Sequence, residues 1–274
     1  MTTLPSVAII GAGAMGGAIL GGLTAPGVTV TGGIRVTNRT EVKAALVRRP
    51  GVQSFALQTT PDANTRAVSG AAIVIIGVKP AIVQNTLAEL AGALAADALV
   101  ISVAAGVTTA TMEAAVGQAV LRAMPNTPSL IGKGVTGLAN GSRTSAEQFE
   151  LGRTVFQTVG TVVEVPESQI DALSTISGSG PAYVFYLIEE LTRAAIGLGF
   201  SAAQARELVT GTFLGSVELL AASGTDPAEL RRQVTSPNGT TERAIAVLET
   251  ADLAGLFSRA TGAALARARE LAGL

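Results

Sequence analysis

The chain contains no cysteine and no histidine among its 274 residues. Those absences exclude disulfides, thiol catalysis, zinc centres with cysteine or histidine ligands, and any serine–histidine–aspartate triad. Lysine is scarce as well: Lys43, Lys79 and Lys133 are the only three. Charged residues make up 14% of the chain and the net charge is -1, so nothing in the charge balance calls for a nucleic-acid partner. The first 34 residues carry no charged side chain, yet Met1–Ser6 lacks the basic start of a signal peptide. Glycines and Pro26 cut the apolar run short of the roughly 20 residues that a membrane span needs. A soluble, cytoplasmic protein is expected.

What is abundant is apolar material, 48% of the residues, in two patterns. Up to about residue 165, short β-branched runs at 7–10, 34–37, 73–78, 99–103 and 119–121 alternate with helical spacings, such as 81–95 behind Pro80. Continuous apolar strands between helices predict a parallel sheet covered on both faces. From Ser168 onward the spacing is helical throughout, with no convincing strand. Helix starts are predicted at Pro181, at Ser201 with Gln204 as a capping box, and at Asp226 before Pro227. The stretch 181–198 is apolar round most of its circumference, which predicts burial in a bundle or against another subunit. The expected architecture is α/β: a doubly wound, Rossmann-like domain over 1–165, then an all-helical domain over 166–274.

The run 7–10 leads straight into GAGAMG at 11–16 and then into a helix. Here Gly11 would permit the tight turn, Gly13 the approach of a pyrophosphate, and Gly16 the close packing of helix on strand. Amides of Ala12, Ala14 and Met15 complete the phosphate-facing turn. Near the end of the next strand stand Asn38, Arg39 and Thr40, with no acid to accept a ribose 2′-hydroxyl. Arg39 with amide and hydroxyl neighbours suits a 2′-phosphate, so NADP(H) is preferred and NAD(H) possible. A plainer role for Asn38 is to cap the following helix.

A dehydrogenase acting on a carbinol needs a group to move the hydroxyl proton, commonly His, Lys or Tyr. The helical half offers only Tyr183 and Tyr186, both on an apolar stretch. An imine nitrogen takes a proton near neutral pH without a strong enzyme acid, so this inventory points to C=N reduction. Two segments can hold a substrate carboxylate on the amides of a helix start. They are SGSGPAY at 177–183, with Ser177 and Gly178, and SPNGTTERAI at 236–245, where Thr240 or Thr241 is the expected cap. Either segment alone reads equally as a capped turn.

Together with GVKP at 77–80, SVAAGV at 102–107 and RAMPNTP at 122–128, these stretches resemble the pyrroline-5-carboxylate reductase family over essentially the whole chain. The resemblance implies an NAD(P)H-binding domain, a helical domain forming an intertwined homodimer often assembled into a decamer, and reduction of 1-pyrroline-5-carboxylate to L-proline. It places Asn64, Val78, Lys79 and Pro80 along the cofactor, and Ala104, Ala105 and Gly106 on the nicotinamide side. It brings Gln233 to the cofactor from the partner's helical domain. Thr241 matches the threonine that contacts the ring nitrogen, Gly239, Thr240 and Thr241 the amides that receive the carboxylate, and Glu167 an acidic position near the substrate. The family loop usually reads SPGGTT, whereas this chain has Asn238 at the first glycine. Asparagine tolerates a left-handed backbone best among the other residues, so the loop is expected to keep its shape.

Three alternatives stand beside this one. A β-hydroxyacid dehydrogenase would carry a lysine in the helix after GSG, where this chain reads PAYVFYLIEEL. A reductase of a related cyclic imine, such as a six-membered ring carboxylate, is the closer alternative. A non-catalytic NADP-sensing protein would leave the second-half motifs without a purpose. Water, Thr241 and the already protonated imine are all open as the proton source.

Overall fold

The computed structural model describes residues 1–272, which divide into two compact units: 1–179 with the stretch from 264 onward, and 180–263. The first unit begins with β1 (Thr2–Leu4), β2 (Val7–Ile10), β3 (Val28–Val30), β4 (Ile34–Asn38) and β5 (Val52–Ala56). It continues with β6 (Ile73–Ile76), β7 (Leu99–Ser102), β8 (Ala119–Met124), β9 (Gly134–Asn140) and β10 (Gly160–Glu164). Eight of these form one sheet in the order β10-β9-β8-β7-β6-β2-β4-β5, while β1 pairs with β3. All neighbours are parallel except β8 and β9.

Six helices connect the strands: α1 (Ala14–Leu23), α2 (Glu41–Leu46), α3 (Ala63–Val68), α4 (Val83–Leu90), α5 (Thr109–Ala115) and α6 (Ala146–Gln157). Successive strand residues point to opposite faces, and here both faces are dry. Ile9, Ile75 and Ile101 share one apolar cluster with Ile19 and Leu20 of α1 and Phe149 and Phe156 of α6. Their neighbours Ile10, Ile76 and Val100 share another with Val68 of α3, Leu87 and Leu90 of α4 and Met112 of α5. Each fully buried Leu or Ile contributes about 1.5–3 kcal/mol, so burial on both faces is what makes these strands read as unbroken apolar runs.

Helices follow β10: α7 (Ile170–Leu173), a π turn over Ser174–Gly178, α8 (Gly180–Gly197), α9 (Ala202–Ser223), α10 (Pro227–Gln233), α11 (Thr240–Glu249) and α12 (Leu253–Ala272). Ser201 and Gln204 form the expected capping box, and Asp226 Oδ1 accepts from the Ala228 amide at 2.8 Å. No residue of α8 is buried within the chain; Phe185 and Tyr186 are 65% and 61% exposed. Of the two settings expected for 181–198, this exposure favours a face against another subunit. Tyr183 meets Phe257 edge-on at 6.2 Å between ring centroids. Among the described residues no single helix is long and apolar enough to cross a membrane.

Several local expectations are corrected. The run 73–78 leaves the sheet after Ile76, because Gly77 and Val78 turn to pack on the backbone of Gly11. The segment 81–95 is a 3₁₀ turn over Pro80–Ile82 followed by α4, ending at Leu90. Asn38 is not a cap; Thr40 is, with its Oγ1 accepting from the Lys43 amide. Pro181 does not open the helix, which begins at Gly180, separated from the π turn by Ser179 alone. Neither Thr240 nor Thr241 caps α11, since Gly239 occupies the cap without a side chain to offer. Glu242 compensates by accepting from the Asn238 amide at 2.9 Å, reaching back from the first turn as a capping-box acid does.

Candidate functional site

Strand order reverses at β2, whose neighbours β4 and β6 lead to opposite halves of the sheet. Such a switch point opens a crevice outside the carboxyl ends of the strands. There the chain passes from Ile10 into Gly11, which adopts φ +88°. A Cβ at Gly11 would lie 2.9 Å from Val78 Cγ1, and one at Gly16 would lie 2.8 Å from the Gly11 carbonyl. Around Gly13 there is no heavy atom within 4 Å of that position, so its outer face is open. Gly13 caps α1 without a side chain, leaving the first-turn amides of Ala14, Met15 and Gly16 without helical partners.

A cleft of about 760 Å³ lies on this loop. It brings together Gly11, Gly13, Asn38, Arg39, Asn64, Val78 and Lys79. Ala12, Ala14, Met15, Gly16, Thr40 and Pro80 are not on its wall. Lys43, Leu57, Asn85 and Thr86 are on it and were missed; a cation one helical turn past Arg39 is the signal that could have found Lys43. Asn64 carries a buried Oδ1 with no partner among the described residues, an acceptor that a ribose hydroxyl or an amide N–H could satisfy. The open glycine, the free amides, the orphan oxygen and the cations all fit a dinucleotide. Gly77 backs onto Gly11 so tightly that a Cβ there would meet its carbonyl oxygen at 2.6 Å. Gly77→Ala is therefore expected to lose about 1–3 kcal/mol of stability and to weaken dinucleotide binding, measured by thermal unfolding and titration.

The loop after β7 carries Ala104, Ala105 and Gly106, the last at φ +73°. It is anchored at its far end by Glu167. The Glu167 Oε1 accepts from the Thr109 amide at 2.6 Å, and its Oε2 accepts from the Thr109 hydroxyl at 2.5 Å. Arg122, 2% exposed on β8, lies 3.7 Å from Glu167 and donates to Asp171 at 2.5 Å. From the same strand end, Asn126 Nδ2 donates to the Ser177 carbonyl at 2.9 Å, and its Oδ1 accepts from the Val135 amide at 2.8 Å. Ser177 and Gly178 thus sit in the π turn, fixed by RAMPNTP; π turns of this kind mark functional segments in many helices.

In the second unit, Asn238 takes the left-handed conformation at φ +60°, as its residue type allows. Its neighbour Gly239 is confined, since a Cβ would meet Ser236 Oγ at 2.6 Å. The amides of Thr240 and Thr241 open α11. Asn238→Gly is expected to be tolerated, whereas Asn238→Val should cost about 1–2 kcal/mol in unfolding free energy by forcing a branched side chain into that region. Gln233 ends α10, where its side-chain Nε2 donates to Glu229 Oε1 at 3.0 Å. Arg232 first and Gln233 second hold the Glu229 carboxyl below its ordinary range.

A glycine loop at the switch point of a doubly wound sheet defines a dinucleotide-binding α/β protein, followed here by a helical region with an unburied apolar helix. Residues 6–106 match a family model described as NADP oxidoreductase coenzyme F420-dependent, and 167–271 match pyrroline-5-carboxylate reductase dimerisation. A pyrroline-5-carboxylate reductase of Corynebacterium melassecola is 39% identical over 273 residues, 98% of this chain and 99% of that one. One from Pseudomonas aeruginosa is 40% identical over 271 residues, 98% and 97% of the two chains. The structure of a pyrroline-5-carboxylate reductase from Coxiella burnetii superposes with a TM-score of 0.89 at 38% identity, covering 97% of each chain. The chain belongs to the pyrroline-5-carboxylate reductase family.

Proposed function

We propose that this chain reduces 1-pyrroline-5-carboxylate to L-proline, using NADPH in preference to NADH. The observation that carries the reading is likeness to reductases of that name over 98% of the chain. Residues 1–165 are assigned the cofactor and 166–274 the substrate and the dimer interface, with the dimer assembled to a decamer in the cytoplasm. Support for NADPH comes from the cleft, where Arg39 meets no acid from the end of β4.

When bound, the reduced nicotinamide supplies a hydride to the C=N carbon. The amides of Thr240 and Thr241 hold the substrate carboxylate, in keeping with the positive end of a helix, while that of Gly239 donates to the Ser236 carbonyl at 3.0 Å and shapes the turn before it. Thr241 Oγ1 accepts the N–H of the protonated imine and so fixes the face presented for reduction. Because the imine carries its own proton, no strong acid is needed, which agrees with a chain lacking histidine. Ser177 and Gly178 border the substrate, held by Asn126. Glu167, gripped by the Thr109 amide and hydroxyl, places a negative charge near the cationic ring without competing for its single N–H. Ala104, Ala105 and Gly106 flank the nicotinamide, and Gln233 approaches it from the partner.

The test is loss of NADPH absorbance with 1-pyrroline-5-carboxylate, against a six-membered imine carboxylate and a panel of β-hydroxy acids with NADP⁺. Selective turnover of the five-membered imine is expected. Turnover of a hydroxy acid instead would overturn the reading, and dinucleotide binding with no turnover would point to a sensor.

A further inference from the structure

The cleft at the ends of β2, β4 and β6 holds an uneven share of the chain's positive charge. Two of the three lysines in the sequence, Lys43 and Lys79, line it with Arg39, and Glu89 is the one acid on its wall. The chain as a whole is net negative. Among the described residues, neither the Arg39 nor the Lys43 side chain forms a hydrogen bond or ion pair. The acid nearest them in sequence, Glu41, is taken up by Arg48. Meanwhile the backbone of Lys43 is tied to the NRT turn at both ends. Its amide donates to Thr40 Oγ1 at 3.4 Å, and its carbonyl accepts from Asn38 Nδ2 at 3.5 Å. Asn38 and Thr40 thereby fix the root of Lys43 beside Arg39. Folding gains nothing from gathering unpaired cations, which repel one another, whereas an anion of high charge placed among them would be attracted by all.

We propose that Lys43 is a second ligand, beside Arg39, of the ribose 2′-phosphate, and hence a determinant of NADPH over NADH. The inference rests on the reading of this cleft as the cofactor site. Arg39 offers a planar fork to two phosphate oxygens, and Lys43 adds a compact point charge from the adjoining helix. The pair serves only the group that distinguishes the two cofactors, because the pyrophosphate is met by the glycine loop.

The test is equilibrium binding of NADPH, NADH, adenosine 2′,5′-bisphosphate and AMP to the full chain and to Lys43→Met, which keeps the apolar stem and removes the charge. The exposed position makes Lys43→Met a folded variant, checked by its thermal transition. Affinity for NADPH and the bisphosphate should fall roughly 10- to 150-fold, with NADH and AMP unchanged. Lys43→Arg should recover most of the loss. Equal losses for NADPH and NADH would overturn the proposal by placing Lys43 on the shared part of the cofactor, and unchanged NADPH binding would remove it altogether. Failure of the underlying reading looks different: the unaltered chain would bind neither dinucleotide, and both inferences would fall.

Discussion

Arg122→Ala should lower the unfolding free energy by about 3–5 kcal/mol, the range for removing one partner of a buried ion pair. The guanidinium is 2% exposed on β8 and faces two carboxylates, Glu167 and Asp171, whose side chains are 27% and 18% exposed. Truncation leaves those two acids facing each other across an emptied site, and adds the cavity of a long side chain. For a chain of this size the loss corresponds to roughly 6–20 °C in the melting temperature. The comparison is made at one protein concentration, because association with a second copy adds to apparent stability. Arg122→Lys restores the charge but not the fork, so it should fall between the two. A melting temperature within a degree or two of the parent would show that the acids are satisfied without Arg122. The consequence reaches the site as well, since Glu167 is the residue that grips Thr109 at the foot of the Ala104–Gly106 loop.

This ion cluster was the least legible part of the chain. Arg122 pairs with acids 45 and 49 positions downstream, and nothing local marks such a partner. The strands that announced themselves were those buried on both faces, VAII at 7–10 and LVIS at 99–102 among them. Those that did not were β1, β3, β5, β9 and β10. In β9, GVTGLAN carries two glycines that weaken any strand pattern; Gly137 is there because Leu173 occupies the space a Cβ would need, with Cδ1 at 2.7 Å. That requirement is set by a helix far along the chain and is invisible until both are placed. The glycine loop was legible because each glycine answers a local demand of turn, approach or packing. The start of α11 was half legible: Asn238 in a left-handed turn followed from residue type, but a hydroxyl cap was expected where Gly239 stands and Glu242 reaches back.

Thr241→Ala should reduce kcat/KM for the imine by roughly 10- to 150-fold, the equivalent of one charge-assisted hydrogen bond of about 1.5–3 kcal/mol. The change spares the fold, since Thr241 makes no cap bond and lies second in α11, where alanine is a good helix former. It also spares the backbone amide, so the substrate carboxylate keeps its seat and KM should move less than kcat. That split separates loss of orientation at the ring nitrogen from loss of binding. Thr241→Ser, which keeps the oxygen, should retain most of the activity. Thr240→Ala serves as the control: the same helix start and the same kind of side chain, offering only its amide, so its kcat/KM should stay near the parent value. An unchanged kcat/KM in Thr241→Ala would sink the assigned role, and equal losses at Thr240 and Thr241 would mean that the helix start, not one hydroxyl, is what the substrate feels.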